Sequence, residues 1–313
     1  MVIIGTWNLE NLFRPGGEAG PRTDEAYEAK LVALADTIGE VAPDVLAVQE
    51  VGDPGALDDL VSRLDGRWHT RLAEPDDRGI RVGFLSRFEL TGVEQVTRFA
   101  DGLPPVVVDD DGETVDRMGR AALRVRVAAE GLDVTLVCCH LKSKLLTYPG
   151  GRFTPRDEGE RARYGVYALN RRAAEAATVR ADASGVLGGQ GERTALVVLG
   201  DLNDGSHAAT TTLLYGPPGS EIGTPGFERP DRGDGDRLWN LAPLIPAEDR
   251  YSRTYQSRRE LIDHILVSHV LLDRVEDVRA GDTGAGSVGD NPAERRDATA
   301  SDHRPVLATL TTD

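Results

Sequence analysis

Six short polar clusters along the 313-residue chain carry side chains that could do chemistry together. They are Thr6-Trp7-Asn8-Leu9-Glu10-Asn11, Gln49-Glu50, His140-Leu141-Lys142, Gly200-Asp201-Leu202-Asn203-Asp204, Asp263-His264 and Ser301-Asp302-His303-Arg304-Pro305. Carboxylates, side-chain amides and imidazoles recur, and none of the six contains a cysteine. Oxygen donors of this kind suit a hard divalent cation. Magnesium takes only one or two protein carboxylates and completes its shell with water and phosphate. Histidines beside carboxylates can move protons or stabilise charge on phosphate oxygens. Asp263 sits in the apolar run 262–267, where a buried carboxylate requires a partner.

Each cluster also has an ordinary explanation when taken alone. Asn8 can be a turn residue and Glu50 a first-turn helix acid ahead of Asp53-Pro54. His140 can be a satisfied core histidine, Asp201 and Asn203 can cap or turn the chain, and Asp302-His303 can be a surface pair.

The elements that would position these residues follow from apolar periodicity. Strand-length apolar runs lie at 2–4, 45–48, 82–85, 122–127, 134–139, 195–199 and 262–267, with a further run at 306–310. Several are nearly continuous, as in strands buried on both faces. Helical spacing marks 26–41 (apolar at 31, 34, 35 and 38, then Pro43), 57–64 and 162–183. Residues 80–140 read as consecutive strands with turns such as Asp110-Asp111-Gly112. This mixture predicts a sheet-on-sheet core with helices outside, and polar groups at strand ends converging on one rim. The Gly/Pro/Asp-rich stretches 216–235 and 281–298 are expected to be surface loops, the second bordering the site.

Composition sets further bounds. Acidic residues number 52 against 36 basic, which argues against a general affinity for long polyanions. Between Lys142 and Arg180, however, nine Lys/Arg face four Asp/Glu, so charge is unevenly distributed. Cys138 and Cys139 are adjacent, point to opposite faces of a strand and cannot staple distant segments. There is no apolar run long enough to span a membrane and no charged leader with an apolar stretch, so a cytoplasmic protein is expected, with a secreted form trimmed of its signal as the alternative.

The ordered set Thr-Trp-Asn-Leu-Glu-Asn, Val-Gln-Glu, His-Leu-Lys, Gly-Asp-Leu-Asn, Ile-Asp-His-Ile-Leu and Ser-Asp-His-Arg-Pro-Val resembles the endonuclease/exonuclease/phosphatase superfamily, which includes deoxyribonuclease I, exonuclease III and the inositol polyphosphate 5-phosphatases. The match runs from residue 6 to residue 306. The resemblance implies an α/β fold, a four-layer α/β/β/α sandwich of two mainly antiparallel sheets with outer helices, forming a single domain over 1–313. It implies Glu50 as the main Mg2+ ligand, with Asn8 close to the same ion and Asp302 nearby. Asp201 would orient or deprotonate the attacking water, and Asn203 would hold that water or a phosphate oxygen. His303, oriented by Asp263, would contact the scissile phosphate or act as base. The choice of base between Asp201 and His303 stays open. His140 resembles the second histidine of the deoxyribonuclease-like and sphingomyelinase-like branches, which leans away from abasic-site repair.

The implied function is Mg2+-dependent phosphodiester hydrolysis, a nuclease with in-line attack of water on phosphorus; Mn2+ is an alternative ion. A phosphomonoesterase on an inositol phosphate or nucleotide is the competing enzyme reading, and a non-catalytic binding module is a third. The partner is then nucleic acid or a small phosphoester, and no protein partner is expected. Arg81, Arg120, Lys142, Asn170, His207 and Tyr251 are candidate substrate contacts, each with a surface or packing role as its alternative. Arg253 and Tyr255 could join Tyr251 in flanking a nucleotide. The Arg-rich segment 152–172 could track phosphates, or could be a solvated helix face with Glu partners.

Overall fold

The computed structural model describes residues 1–129, 131–227, 229–289 and 291–312. Residues 228 and 290, within the two expected loops, lie outside the described residues. In chain order the elements are β1 (Val2–Leu12), α1 (Asp24–Val41), β2 (Val45–Val51), α2 (Pro54–Val61), β3 (His69–Leu72), β4 (Arg81–Ser86), β5 (Thr91–Arg98), the hairpin of β6 (Val106–Val107) and β7 (Thr114–Val115), β8 (Arg117–Ala129), β9 (Leu132–His140), α3 (Glu158–Leu187), β10 (Leu196–Asp201), α4 (Ala209–Tyr215), β11 (Leu238–Asn240), the hairpin of β12 (Arg253–Tyr255) and β13 (Arg258–Glu260), β14 (Asp263–Ser268), β15 (Val275–Ala280) and β16 (Val306–Leu310).

Capping sets the helix limits. Thr23 accepts from Ala26 N–H to start α1, and the helix ends where Ala42 turns left-handed (φ 46°) just ahead of Pro43. The third helix is longer than the 162–183 expected from apolar spacing. Asp157 caps it at the Glu160 N–H, and it runs on to a left-handed Gly188.

Two six-stranded sheets form the centre, ordered β15-β16-β1-β2-β4-β3 and β11-β14-β10-β9-β8-β5. Pairing is antiparallel except for β1–β2 and β9–β10, the parallel pairs near the middle of each sheet. The consecutive strands of 80–140 divide between the sheets, β4 joining the first and β5, β8 and β9 the second.

Strand alternation sorts side chains into layers. Ile4, Val45, Ala47, Leu136, Cys138, Val197, Leu199, Ile265, Val267 and Val306 fill the space between the sheets. Trp7, Leu9, Leu46 and Val48 point the other way, under α1 and α2. Val137, Cys139, Leu196, Val198 and Leu266 pack with the α3 residues Ala176, Val179 and Ala183. This is the four-layer α/β/β/α arrangement, and it places the two cysteines on opposite faces. Among the described residues no helix is long and apolar enough to cross a membrane.

Candidate active site

The inter-sheet layer changes from apolar to polar at one end. Along β1 the inward positions run Ile4, Thr6, Asn8; along β9 they run Leu136, Cys138, His140; along β10 they run Val197, Leu199, Asp201. The transition is a hydrogen-bonded bridge between the sheets: Gln49 Nε2 donates to Thr6 Oγ1 (3.0 Å) and lies 3.3 Å from Cys138 Sγ. Above it, register does the positioning. Asp201 pairs with His140 on one side and with Asp263 on the other, so three neighbouring strands present these side chains at one level. Gly200, beneath Asp201, has φ +146°, and a Cβ there would stand 1.9 Å from the Cys139 carbonyl oxygen. Only glycine fits this approach.

The first sheet supplies the rest. Asn8 Nδ2 donates to Asp201 Oδ2 (3.0 Å) and to Glu50 Oε1 (3.2 Å), while Asn8 Oδ1 accepts from Glu10 N–H (2.9 Å). Glu50 itself is left-handed (φ 61°), and its Oε2 accepts from Asn11 N–H (2.9 Å). These irregularities coincide with the break in β1–β2 register between Asn8 and Leu12. His303 precedes β16; Ser301 Oγ ties it down by donating to the Asn8 carbonyl (2.7 Å) and accepting from His303 N–H (3.0 Å).

His303 Nδ1 lies 2.6 Å from Asp263 Oδ2, and its Nε2 lies 3.9 Å from Asp201 Oδ2 and from Asp302 Oδ1. Asp302 Oδ2 also meets an Arg253 guanidinium nitrogen at 3.2 Å. His140 Nε2 is 3.4 Å from Asp201 Oδ2 and 4.0 Å from Glu50 Oε1. Asn203, left-handed at φ 54°, donates Nδ2 to the Leu141 carbonyl (3.0 Å), and its N–H donates to Asp201 Oδ1 (2.9 Å). Asn8, Glu50, His140, Asp201, Asn203, Asp263, Asp302 and His303 are thus joined by direct contacts.

The two histidines are pushed in opposite directions. Burial lowers His140 well below the usual imidazole range, reinforced by the charges of Arg120 and His303. Burial also opposes charging of His303, but Asp263, Asp302 and Asp201 outweigh it and hold His303 up at about 10. Asp201 is raised to about 7, first by burial and then by the neighbouring Asp263 charge. The site therefore holds an imidazolium, a neutral imidazole and a carboxyl group that titrates near neutrality, the kind of separation that divides acid and base roles.

Glu50 is the carboxylate that could hold a hard cation. Its side chain is 21% exposed, against 2% for Asp201 and 0% for Asp263, and magnesium needs an open side for its retained waters. Asp201, Asp263 and His303 also bring ligand atoms within 4.8 Å of one another. That trio is wholly buried, and its imidazole Nδ1 is already engaged with Asp263, so it fits a proton-handling unit better than a hydrated ion.

The weaker candidates fare unevenly. Arg120 braces the His140 segment, donating to the His140 and Leu141 carbonyls (3.1 and 2.9 Å). Arg81 Nη1 is engaged by the Gly52 and Gly79 carbonyls, both at 2.7 Å. The Lys142 ammonium turns to the Ser143 and Leu145 carbonyls. Asn170 and His207 are exposed. The guanidiniums of Arg259 and Arg304 lie over the Tyr251 ring, at 4.3 and 4.1 Å. In the segment 152–172, Arg152, Arg161, Arg163, Arg171 and Arg172 all pair with carboxylates of the chain, as in a solvated helix face with acidic partners.

Sequence reasoning missed a supporting cluster. Glu10 holds Arg295 through both carboxylate oxygens (2.5 and 2.8 Å) and accepts from Asp302 N–H (2.9 Å). Lys30, buried in α1, lies close enough to feel the charges of Glu10, Asp302 and Glu50. The Glu10 signal was present, inside the first cluster; nothing local marked Arg295 or Lys30.

A family model described as Endonuclease/Exonuclease/phosphatase family matches residues 5–303. No curated protein matches the chain. Among solved structures, truncated TDP2 of Caenorhabditis elegans is similar at TM-score 0.59 and 14% identity, covering 99% of this chain and 96% of that one. The mannosyl-6-phosphatase Bt3783 of Bacteroides thetaiotaomicron gives TM-score 0.59 and 15% identity, covering 99% and 100%. A 3'-5' exonuclease of Neisseria meningitidis gives 0.54 and 19%, covering 99% of each chain. At these identities the likeness establishes the fold.

Proposed function

The chain belongs to the endonuclease/exonuclease/phosphatase family of phosphoester-hydrolysing enzymes, and from that premise we propose that it is a divalent-metal-dependent phosphodiester hydrolase that cleaves nucleic-acid phosphodiesters. The observation that carries this reading is the level set of His140, Asp201 and Asp263 on adjacent strands, faced by His303 from the opposite sheet.

In this reading a water attacks phosphorus in line with the leaving oxygen. Asp201, near neutrality in its proton affinity, takes the water's proton. Asn203 has its amide N–H committed to Leu141, which leaves its carbonyl oxygen to accept from that water. The imidazolium of His303 donates from Nε2 to the phosphoryl oxygens, and neutral His140 donates from its own Nε2. Asp263 fixes the His303 ring and tautomer. Asn8 holds the Glu50 and Asp201 carboxylates in place, and Glu50 would hold the ion. A bound divalent ion supplies Lewis-acid neutralisation of the phosphoryl group. Mg2+ suits the oxygen donor, with Mn2+ sharing that preference.

The test is turnover of bis(p-nitrophenyl) phosphate, p-nitrophenyl phosphate, plasmid and single-stranded oligonucleotide, each with Mg2+ and with chelator. Metal-stimulated diester and nucleic-acid cleavage is expected. Hydrolysis of the monoester alone would transfer the protein to the small-phosphomonoester class.

A further inference from the structure

A cavity of about 450 Å³ opens between the β6–β7 hairpin, the loop after β9 and the first half of α3. Its size falls in the range of small-molecule sites. None of the catalytic roles above uses it, yet it begins at Lys142, two residues beyond His140. Lys142 and Arg171 both line it and are joined through Glu175, which accepts from the Lys142 N–H (2.6 Å) and from Arg171 Nε (3.2 Å).

The helix and the loop supply aromatic surface. Tyr148, Tyr164 and Tyr167 line the cavity, with the Tyr164 ring 5.2 Å from Tyr148 and 5.4 Å from Tyr167. The Tyr164 hydroxyl is buried and has no hydrogen-bond partner among the described residues. The hairpin supplies Asp111 and Glu113, both exposed. This hairpin is pinned to α3 by Asp110, which receives Arg163 through both oxygens (2.9 and 2.8 Å) and the Tyr167 hydroxyl at 3.0 Å.

We propose that this cavity is the subsite for one nucleoside attached to the scissile phosphate. The inference deepens the phosphodiesterase reading and rests on it. Tyr167, the half-buried one of the three, offers stacking area to a base, which every nucleobase can use. The Asp111 and Glu113 carboxylates accept hydrogen bonds from sugar hydroxyls or base amino groups. The same carboxylates repel a second phosphate. The arginines that could have led a polyanion onward along α3 are neutralised within the chain. A lining of Lys142, aromatic rings and acidic side chains in one cavity selects a phosphate that carries a single neutral ring system, so the bond cleaved lies at the end of a strand or in a small diester.

The experiment compares the Mg2+-loaded full chain on thymidine 5′- and 3′-p-nitrophenyl phosphates with methyl p-nitrophenyl phosphate, which has the same leaving group and no nucleoside. The better thymidine ester should exceed the methyl ester in kcat/KM by about tenfold or more, and Tyr167→Ala should reduce that ratio about tenfold, the scale of one lost base–aromatic stack. Charge reversal in the exposed turn, Asp111→Lys with Glu113→Lys, should raise kcat/KM for a longer oligonucleotide relative to the thymidine ester. A ratio near one, or a ratio that Tyr167→Ala leaves alone, overturns the subsite. Calorimetry with thymidine 5′-monophosphate separates the two ideas. If no diester is cleaved the phosphodiesterase reading fails, while nucleotide binding weakened by Tyr167→Ala still supports the subsite and binding insensitive to it removes the subsite alone.

Discussion

His303 Nδ1 and Asp263 Oδ2 meet at 2.6 Å across the sandwich, one from the segment entering β16 and the other from β14. The pair ties the sheets together and keeps His303 protonated up to about 10. Activity that needs the imidazolium should fall as pH rises through about 10. Asp263→Asn removes the leading charge that raises His303, so the falling limb should move to lower pH and kcat should drop about a hundredfold or more through loss of charge and tautomer control. His303→Ala with Asp263→Asn should be strongly non-additive. A double variant whose defect is the product of the single defects would separate the two residues.

Asp201 governs the other limb. A base works only when deprotonated, and burial with the Asp263 charge raises Asp201 to about 7. Activity should therefore rise with pH up to a midpoint near that value and hold until the His303 limb. Asp201, Asp263 and His303 titrate as a coupled set, so the two midpoints belong to the set. In Asn8→Ala the amide donor at 3.0 Å is lost, which should move the rising limb to higher pH. A kcat/KM profile with its rising limb near pH 4 would exclude Asp201 as the base.

Glu50→Gln keeps shape and the contact with Asn11 N–H while removing the charge an ion needs. Turnover with Mg2+ should fall by about two to three orders of magnitude. Because loss of activity alone does not identify a ligand, the second readout is binding: the wild-type protein should take up Mg2+ by calorimetry and Glu50→Gln should not. Unchanged Mg2+ affinity in the variant would place the ion elsewhere.

The polar clusters were legible because strand alternation compels them. A residue two positions beyond Cys138 or Leu199 must face the same inter-sheet layer, and where that layer ends His140 and Asp201 become the rim. Asp263 announced its partner by being charged within an apolar run, and the partner is His303. What stayed hidden depends on pairing at long range or on faces without apolar signal. Arg295 lies 285 positions from Glu10, and no local pattern links them. Strand β3 carries mostly half-buried or exposed residues, so periodicity passed over it. The α3 arginines look like a basic stripe in sequence, because Asp110 and Asp204, two of their partners, come from elsewhere in the chain.

The Glu10–Arg295 pair suggests how the His303 segment is held. Glu10, 9% exposed, also accepts the Asp302 N–H, and Arg295 donates to the Ala300 carbonyl (2.8 Å), so the pair fastens the chain on both sides of Ser301. Arg295→Ala leaves a buried carboxylate beside Asp302, and breaking such a pair should cost about 3 kcal/mol, the low end for a buried pair because Arg295 is partly exposed. The sign of the pH dependence follows from Glu10. Burial already raises it above the usual carboxylate range, with Arg295 opposing the rise. Without Arg295 it should rise further, and a neutral Glu10 needs no cation. The deficit of the variant should thus be larger at about pH 8 than at about pH 5, measured by urea unfolding. Equal deficits at both values would mean that Arg295 acts through packing alone, and an unaltered kcat would mean that the fastening does not reach His303.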